Sequence, residues 1–198
     1  MPFHTRPRWK VPGLDMRRAA ITIVLCTLWA ASAAAGDFDR VHGLIDELRI
    51  GAVVHDVPGG WSGFHVEQDA VDLNLEAIFS PSLNFLGGRI RPALGATVNF
   101  NGDTSKVYLD ARWQRDFAER WFAGIGLGVA VHDGSIDDGN PNKKQLGARV
   151  LFHPSFELGY RLDRHNSISL YYDHMSNGST ADPNEGFDTL GVRWGYRF

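Results

Sequence analysis

Beyond residue 36 the pattern of apolar and polar positions has a period of two. In the last segment Leu190, Val192, Trp194, Tyr196 and Phe198 fall on one face, and Thr189, Gly191, Arg193, Gly195 and Arg197 on the other. Successive side chains of a strand point to opposite sides, so such a segment is a strand with one apolar face. The same alternation runs through residues 48–55, 71–79, 89–98, 107–114, 121–132, 149–161 and 167–172. With 188–198 that predicts eight strands, most of them near the ~9–11 residues that a tilted strand needs to cross a bilayer. No stretch beyond residue 36 approaches the ~18 unbroken apolar residues of a membrane-spanning helix.

The polar faces decide the environment. They carry both signs: Asp72, Glu76, Asp110 and Glu157 against Arg49, Arg89, Arg91, Arg112, Arg161, Arg193 and Arg197. Mixed charges can pair inside a narrow barrel while the apolar faces meet lipid. Trp113, Trp121, Tyr160, Tyr172, Trp194 and Tyr196 lie near strand ends, as aromatic girdles require, and the chain ends on an aromatic, Phe198. The predicted fold is therefore all-β, an eight-stranded antiparallel transmembrane β-barrel. With both termini on the periplasmic side, the long polar connections 56–69 and 133–145 face the exterior. Connections 115–120 and 162–166 are short, as periplasmic turns should be. The connection 80–88 is longer than this rule predicts.

Composition and the N-terminus narrow the class further. Gly occurs 22 times in 198 residues and aromatics make up 12%, which suits strands and turns. Arg17 and Arg18, the apolar run 19–29 and the small residues 31–35 predict a signal peptide over 1–35, with Met16 as an alternative start, and a barrel over 36–198. The one cysteine, Cys26, lies in that run, so the mature chain has no disulfide or thiolate chemistry. Removing five basic residues and one acidic residue takes the formal net charge from −3 to about −7, which argues against nucleic acid as a partner.

Candidate chemistry gathers at the end of the seventh predicted strand. His174 and Ser176 share parity with Ile168, Leu170 and Tyr172, so both are expected on the lipid side at the outer end. Asp188 shares parity with Leu190 and Val192. If Ser176 lies opposite Gly186, His174 lies opposite Asp188, and directly opposed Cβ atoms are ~4.5–5.5 Å apart. Ionisable groups on a lipid face are costly at the midplane and cheap at the interface, where these residues sit. A serine hydroxyl needs a base, and the base needs an acid to orient it. Ser176, His174 and Asp188 can fill those roles, with Asn177, Gly178 and their backbone N–H groups as candidates for the oxyanion donors.

The segments His174-Met175-Ser176-Asn177-Gly178 and Asp182-Pro183-Asn184-Glu185-Gly186-Phe187-Asp188 resemble the C-terminal motif of PagL-type lipid A 3-O-deacylases. The likeness spans about 15 residues, with a barrel pattern over about 150 more. It implies an eight-stranded outer-membrane barrel that hydrolyses the ester-linked acyl chain at position 3 of lipid A. It also implies a triad of His174, Ser176 and a downstream acid on the outer wall, and the matches at Asn177 and Asn184 make both candidates for oxyanion stabilisation or substrate positioning. The acid in that family is often Glu; position 188 is Asp, and Glu185 is the alternative. Lipid A of lipopolysaccharide in the outer leaflet is the implied substrate, with no metal or organic cofactor.

The other histidines have bland readings. His55, His65 and His132 fall at strand ends or in outer loops, His153 faces the lumen and His165 sits in a turn, with no HExxH-like spacing. The Asp137-Asp138-Gly139-Asn140 run lacks the twelve-residue calcium-loop pattern and reads as a solvated outer loop. Gly124, Gly126 and Gly128 all face the lumen, leaving room for bulkier neighbours. Two competing functions stand beside the esterase: a non-catalytic barrel for adhesion or envelope integrity, and a hydrolase acting on phospholipid.

Overall fold

The computed structural model describes residues 43–67 and 70–198. The expected signal segment 1–35 lies outside the described residues. Among the described residues nine strands follow in order: β1 (Ile45–Val54), β2 (Val71–Phe79), β3 (Leu83–Phe85), β4 (Gly88–Val98), β5 (Lys106–Phe117), β6 (Trp121–His132), β7 (Val150–Arg161), β8 (Asn166–Met175) and β9 (Phe187–Arg197). All neighbours are antiparallel. β1 pairs with β9, and β2 with both β1 and β4, so the sheet closes into an eight-stranded barrel. The extra strand, β3, accounts for the long connection after β2. It pairs back onto β4, Leu83 to Ile90 and Phe85 to Gly88. Leu86 and Gly87 form the two-residue turn, with φ of 46° and 72°; two successive positive φ values are the signature of the hairpin turn that matches strand twist.

The two faces are sorted as their parity demands. Leu48, Ile50, Leu109, Leu127, Leu158, Leu170, Val192 and Trp194 stand exposed on the outer wall, while Arg49, Glu76, Asp110, Arg112, Glu157 and Arg193 are buried inside. Arg89, assigned by parity to the polar face, is exposed below the charged core.

The lumen is filled by one connected ionic network. Glu76 accepts from Arg112 at 2.5 Å and Tyr108 at 3.1 Å, and lies 3.4 Å from Arg193 and 3.6 Å from Arg49. Glu157 pairs with Arg193 at 2.7 Å, accepts from Ser169 at 2.6 Å and also binds Arg49. The Arg193 guanidinium lies 3.6 Å from the centre of the Tyr171 ring. Glycines make this density possible. A Cβ at Gly126 would stand 2.2 Å from Ser155 Oγ, and one at Gly128 2.4 Å from Asp110 Oδ1.

The outer end is closed by interlocked loops: loop 1 (described over 55–67), loop 2 (99–105), loop 3 (133–149) and loop 4 (176–186). Glu67 of loop 1 accepts from Thr104 N–H at 3.1 Å and Lys144 N–H at 3.0 Å, and contacts His55 Nε2 at 3.0 Å. His55 Nδ1 lies 2.6 Å from Asp72. Below them Leu146, Leu151, Met175, Phe187, Ala130 and Tyr108 form a small apolar core. Loop 3 is thus only partly the solvated loop its composition predicts. Residues 137–142 are exposed, but Lys144 and Leu146 are fully buried.

Two outcomes follow from these networks. Removing one partner of a buried ion cluster leaves the others uncompensated, so Glu76→Ala should destabilise the barrel by about 3–5 kcal/mol in urea unfolding from detergent micelles. A loss below about 1 kcal/mol would mean that the arginines re-pair without it. Burial alone would lower the His55 pKa, but hydrogen bonds and charge from Asp72 and Glu67 outweigh it and raise the value from 6.5 to about 9. A folded value above the unfolded one stabilises fully below pH 6.5, and that contribution is lost as pH rises through 9. Protease nicking of loop 1 should accelerate between pH 7 and 10, and His55→Gln should abolish that dependence.

Candidate active site on the outer wall

The outer end of β8 carries Tyr172 and His174 on the lipid side, because both share parity with exposed Leu170 and Ile168. Past β8 the chain stays in register. Phe152 N–H donates to the Ser176 carbonyl at 2.8 Å and Ser176 N–H to the Phe152 carbonyl at 3.2 Å, which keeps Ser176 on the same face as His174. β9 pairs His174 directly with Asp188, one step beyond the pair Met175–Phe187.

His174 Nδ1 lies 2.6 Å from Asp188 Oδ1. With that nitrogen donating to the carboxylate, Nε2 keeps its lone pair and is the basic end of the ring. Among the described residues Nε2 has no hydrogen-bond partner, and neither does the Ser176 hydroxyl. The two groups are two residues apart on one strand face. They are adjacent side by side, without a hydrogen bond between them.

Asp188 is completely buried although its parity points outward. Loop 1 folds back over the rim and covers it. Asp188 Oδ2 accepts from Ser62 N–H at 2.9 Å and from the Ser62 hydroxyl at 2.6 Å, and Oδ1 accepts from the Tyr172 hydroxyl at 2.9 Å. Trp61, 61% exposed, meets the His174 ring edge-to-face at 5.2 Å and touches Phe156 and Tyr172. Farther along loop 1, Phe64 is 86% exposed. A carboxylate–imidazole pair is thereby enclosed in an aromatic patch on the lipid-facing surface.

The remaining candidates separate. Asn177 is buried: its N–H donates to Asn184 Oδ1 at 3.1 Å, and its side-chain amide to the carbonyls of Leu146 at 3.1 Å and Pro183 at 2.8 Å. Its donors hold loop 4 in place. The Asn184 amide nitrogen and the Gly178 N–H have no partner among the described residues, and Gly178 lies over the Phe152 ring at a φ of 61°. Glu185 faces away from His174. One oxygen is 2.9 Å from His65 Nδ1 and the other accepts from Gln145 N–H at 2.5 Å. A hydrogen bond to the Pro141 carbonyl and the Glu185 carboxylate raise the His65 pKa. Among the described residues no group of three or more His, Cys, Asp or Glu could hold a metal ion.

Sequence reasoning did not find Ser62, Trp61 or the contact of Tyr172 with the acid. Tyr172 had a signal, since it shares the face of His174. Ser62 had none beyond a glycine-flanked Trp-Ser pair in a long loop, because its role depends on how the loop folds back.

Fold and site together define an outer-membrane β-barrel with a histidine–carboxylate pair on its lipid-facing wall near the outer rim. The chain belongs to the PagL family: the sequence model described as "Lipid A 3-O-deacylase (PagL)" matches residues 59–197. Members of this family are ester hydrolases of the bacterial outer membrane. The chain is similar to a Lipid A deacylase PagL of Bordetella bronchiseptica, 32% identical over 81 residues, which covers 40% of this chain and 43% of that protein. The match thus spans less than half of that curated relative. Among solved structures it resembles the outer-membrane enzyme PagL with a TM-score of 0.56 and 18% identity, over 76% of this chain and 99% of that one. That likeness speaks to the fold. Neisserial surface protein A aligns with a TM-score of 0.48 at 13% identity, over 79% of this chain and 99% of that one.

The two carboxylates make different predictions. Asp188→Ala should lower ester hydrolysis by about 10²–10⁴-fold, the range typical of removing an orienting acid. Glu185→Ala should stay within about threefold of the parent. Initial-rate assays of both variants on lipid A in detergent check this, and the reverse order would move the acid to Glu185.

Proposed function

We propose that the protein removes the ester-linked acyl chain at position 3 of lipid A in the outer leaflet, by a Ser176–His174–Asp188 mechanism. The observation that carries this reading is the 2.6 Å contact between His174 and Asp188, with Ser176 two residues along the same outward face. Family membership supports the substrate class.

His174 Nε2 takes the Ser176 hydroxyl proton as Oγ attacks the acyl carbonyl carbon. Asp188 holds the ring and stabilises the imidazolium that forms. The negative charge that develops on the carbonyl oxygen needs donors aimed at it. Among the described residues Gly178 N–H and the Asn184 amide are unengaged donors in the loop that follows Ser176, and one such donor contributes on the order of 10²–10³ in rate. The bond between the acyl carbon and the sugar 3-oxygen then breaks, and His174 gives its proton to that oxygen, which leaves as the 3-hydroxyl. Water, deprotonated by His174, attacks the acyl-serine carbonyl; the acyl–Oγ bond breaks and His174 returns the proton to Ser176 Oγ, releasing the fatty acid. No step uses a metal or organic cofactor.

A substrate already resident in the outer leaflet reaches the wall by lateral diffusion, so a deep cleft is unnecessary. The exposed rings of Trp61, Phe152 and Phe156 supply an apolar surface beside the nucleophile.

Ser176→Ala tests the mechanism. Lipid A from cells expressing the parent should lose one acyl chain by mass spectrometry, and lipid A from cells expressing Ser176→Ala should keep it, a rate loss of at least about 10⁴-fold. Equal deacylation by both would refute the serine mechanism. Deacylation of phospholipid vesicles in preference to lipopolysaccharide would refute the substrate.

A further inference from the structure

The acid is held by a loop that contributes no atom to bond making. Loop 1 leaves β1, crosses the rim beside β9 and lies on the lipid side of β9 and β8. Its tip is a tight turn. Gly59 N–H donates to the Gly63 carbonyl at 2.7 Å, and both glycines have positive φ, 77° and 81°. The turn presses Gly60 against the acid so closely that a Cβ there would stand 2.2 Å from Asp188 Oδ2. Ser62 then gives that oxygen two hydrogen bonds, at 2.9 and 2.6 Å. The loop is itself fastened: Val57 N–H donates to the Asp188 carbonyl at 2.9 Å, and Lys144 Nζ of loop 3 to the Ser62 carbonyl at 3.2 Å.

A carboxylate rotates easily about its terminal torsion, which is broad and roughly two-fold. One contact to His174 does not fix its plane. Donors on the opposite oxygen do, and the Tyr172 hydroxyl on Oδ1 completes the set. All four hydrogen bonds converge on an acid with only one methylene, at a position where a longer acid would run into Gly60 and Ser62.

We propose that Ser62 and Tyr172 are positioning residues for the deacylation: they fix the plane of the Asp188 carboxylate and, through it, the direction in which His174 presents Nε2 to Ser176. This rests on the Ser-His-Asp reading above. Neither residue touches the reacting atoms. Their removal acts on turnover through misorientation, and small misplacements of a catalytic group cost up to about 10²-fold.

The test uses the full-length barrel refolded in detergent, with purified lipid A as substrate. Ser62→Ala should lower kcat by roughly 10- to 100-fold with KM within about twofold. Ser62→Thr, which keeps the hydroxyl, should recover most of that loss. In an Asp188→Ala background Ser62→Ala should add nothing further, because its target is gone; a generic packing defect would add its own loss. Tyr172→Phe, on a strand and removing a single oxygen, should show the same kcat-only loss and carries the test if Ser62→Ala does not refold. Parent-level kcat in Ser62→Ala or Tyr172→Phe, or a full additional loss in the Asp188→Ala background, overturns the proposal. An inactive parent protein refutes the deacylation reading itself, whereas an active parent with silent variants refutes only the positioning role.

Discussion

In a closed sheet surrounded by hydrocarbon, the side on which a residue emerges is fixed by whether its position is odd or even. Nothing can be turned around locally without turning every residue of that strand. The barrel obeys this over its wall apart from a register shift between Ile45 and Glu47 at the start of β1. Its interior therefore collects most of the charges the strands carry, and the eight-stranded lumen is too narrow to dilute them with water. Glu76 and Glu157 sit among Arg49, Arg112 and Arg193, and glycines on β6 make space for Asp110 and Arg112. The interior is one ionic solid with a thin apolar cap of Leu146, Met175 and Phe187 above it.

The same rule makes the site conspicuous. His174 and Asp188 occupy positions that parity gives to lipid. An exposed carboxylate there would be unfavourable, and the molecule resolves this by covering it with part of another loop instead of moving it inside. Loop 1 supplies polar donors toward Asp188 and aromatic rings toward the membrane, so one short turn satisfies both neighbours. The lumen and the site do not mix: Asp173, next to His174 in sequence, faces inward and binds Lys106.

Much of this was legible in the sequence because parity is a local property. The strands, the lipid face and the side on which His174, Ser176 and Asp188 emerge all follow from alternation. The β3 hairpin was not, since its Leu86-Gly87 turn is short and lacks the usual Asn-Gly or Asp-Gly. The fully buried Lys144 in an otherwise polar loop was not either, because its burial depends on Asp56 and the Ser62 carbonyl from a segment more than eighty residues away. Ser62 itself was invisible for the same reason: loop tertiary contacts leave no period. Asn177 illustrates a third kind of gap. A residue can match a motif while its side chain serves the loop around it, here the carbonyls of Leu146 and Pro183.

The donors to Asp188 come from opposite ends of the chain. Ser62 follows the first strand, whereas Asp188 opens the last one, and the two meet only where β1 and β9 join. Until that seam is zipped, the nascent polypeptide holds its serine, its imidazole and its carboxylate without the brace between them. A chain in transit toward its destination therefore lacks this brace, and only completion of the cylinder puts it in place.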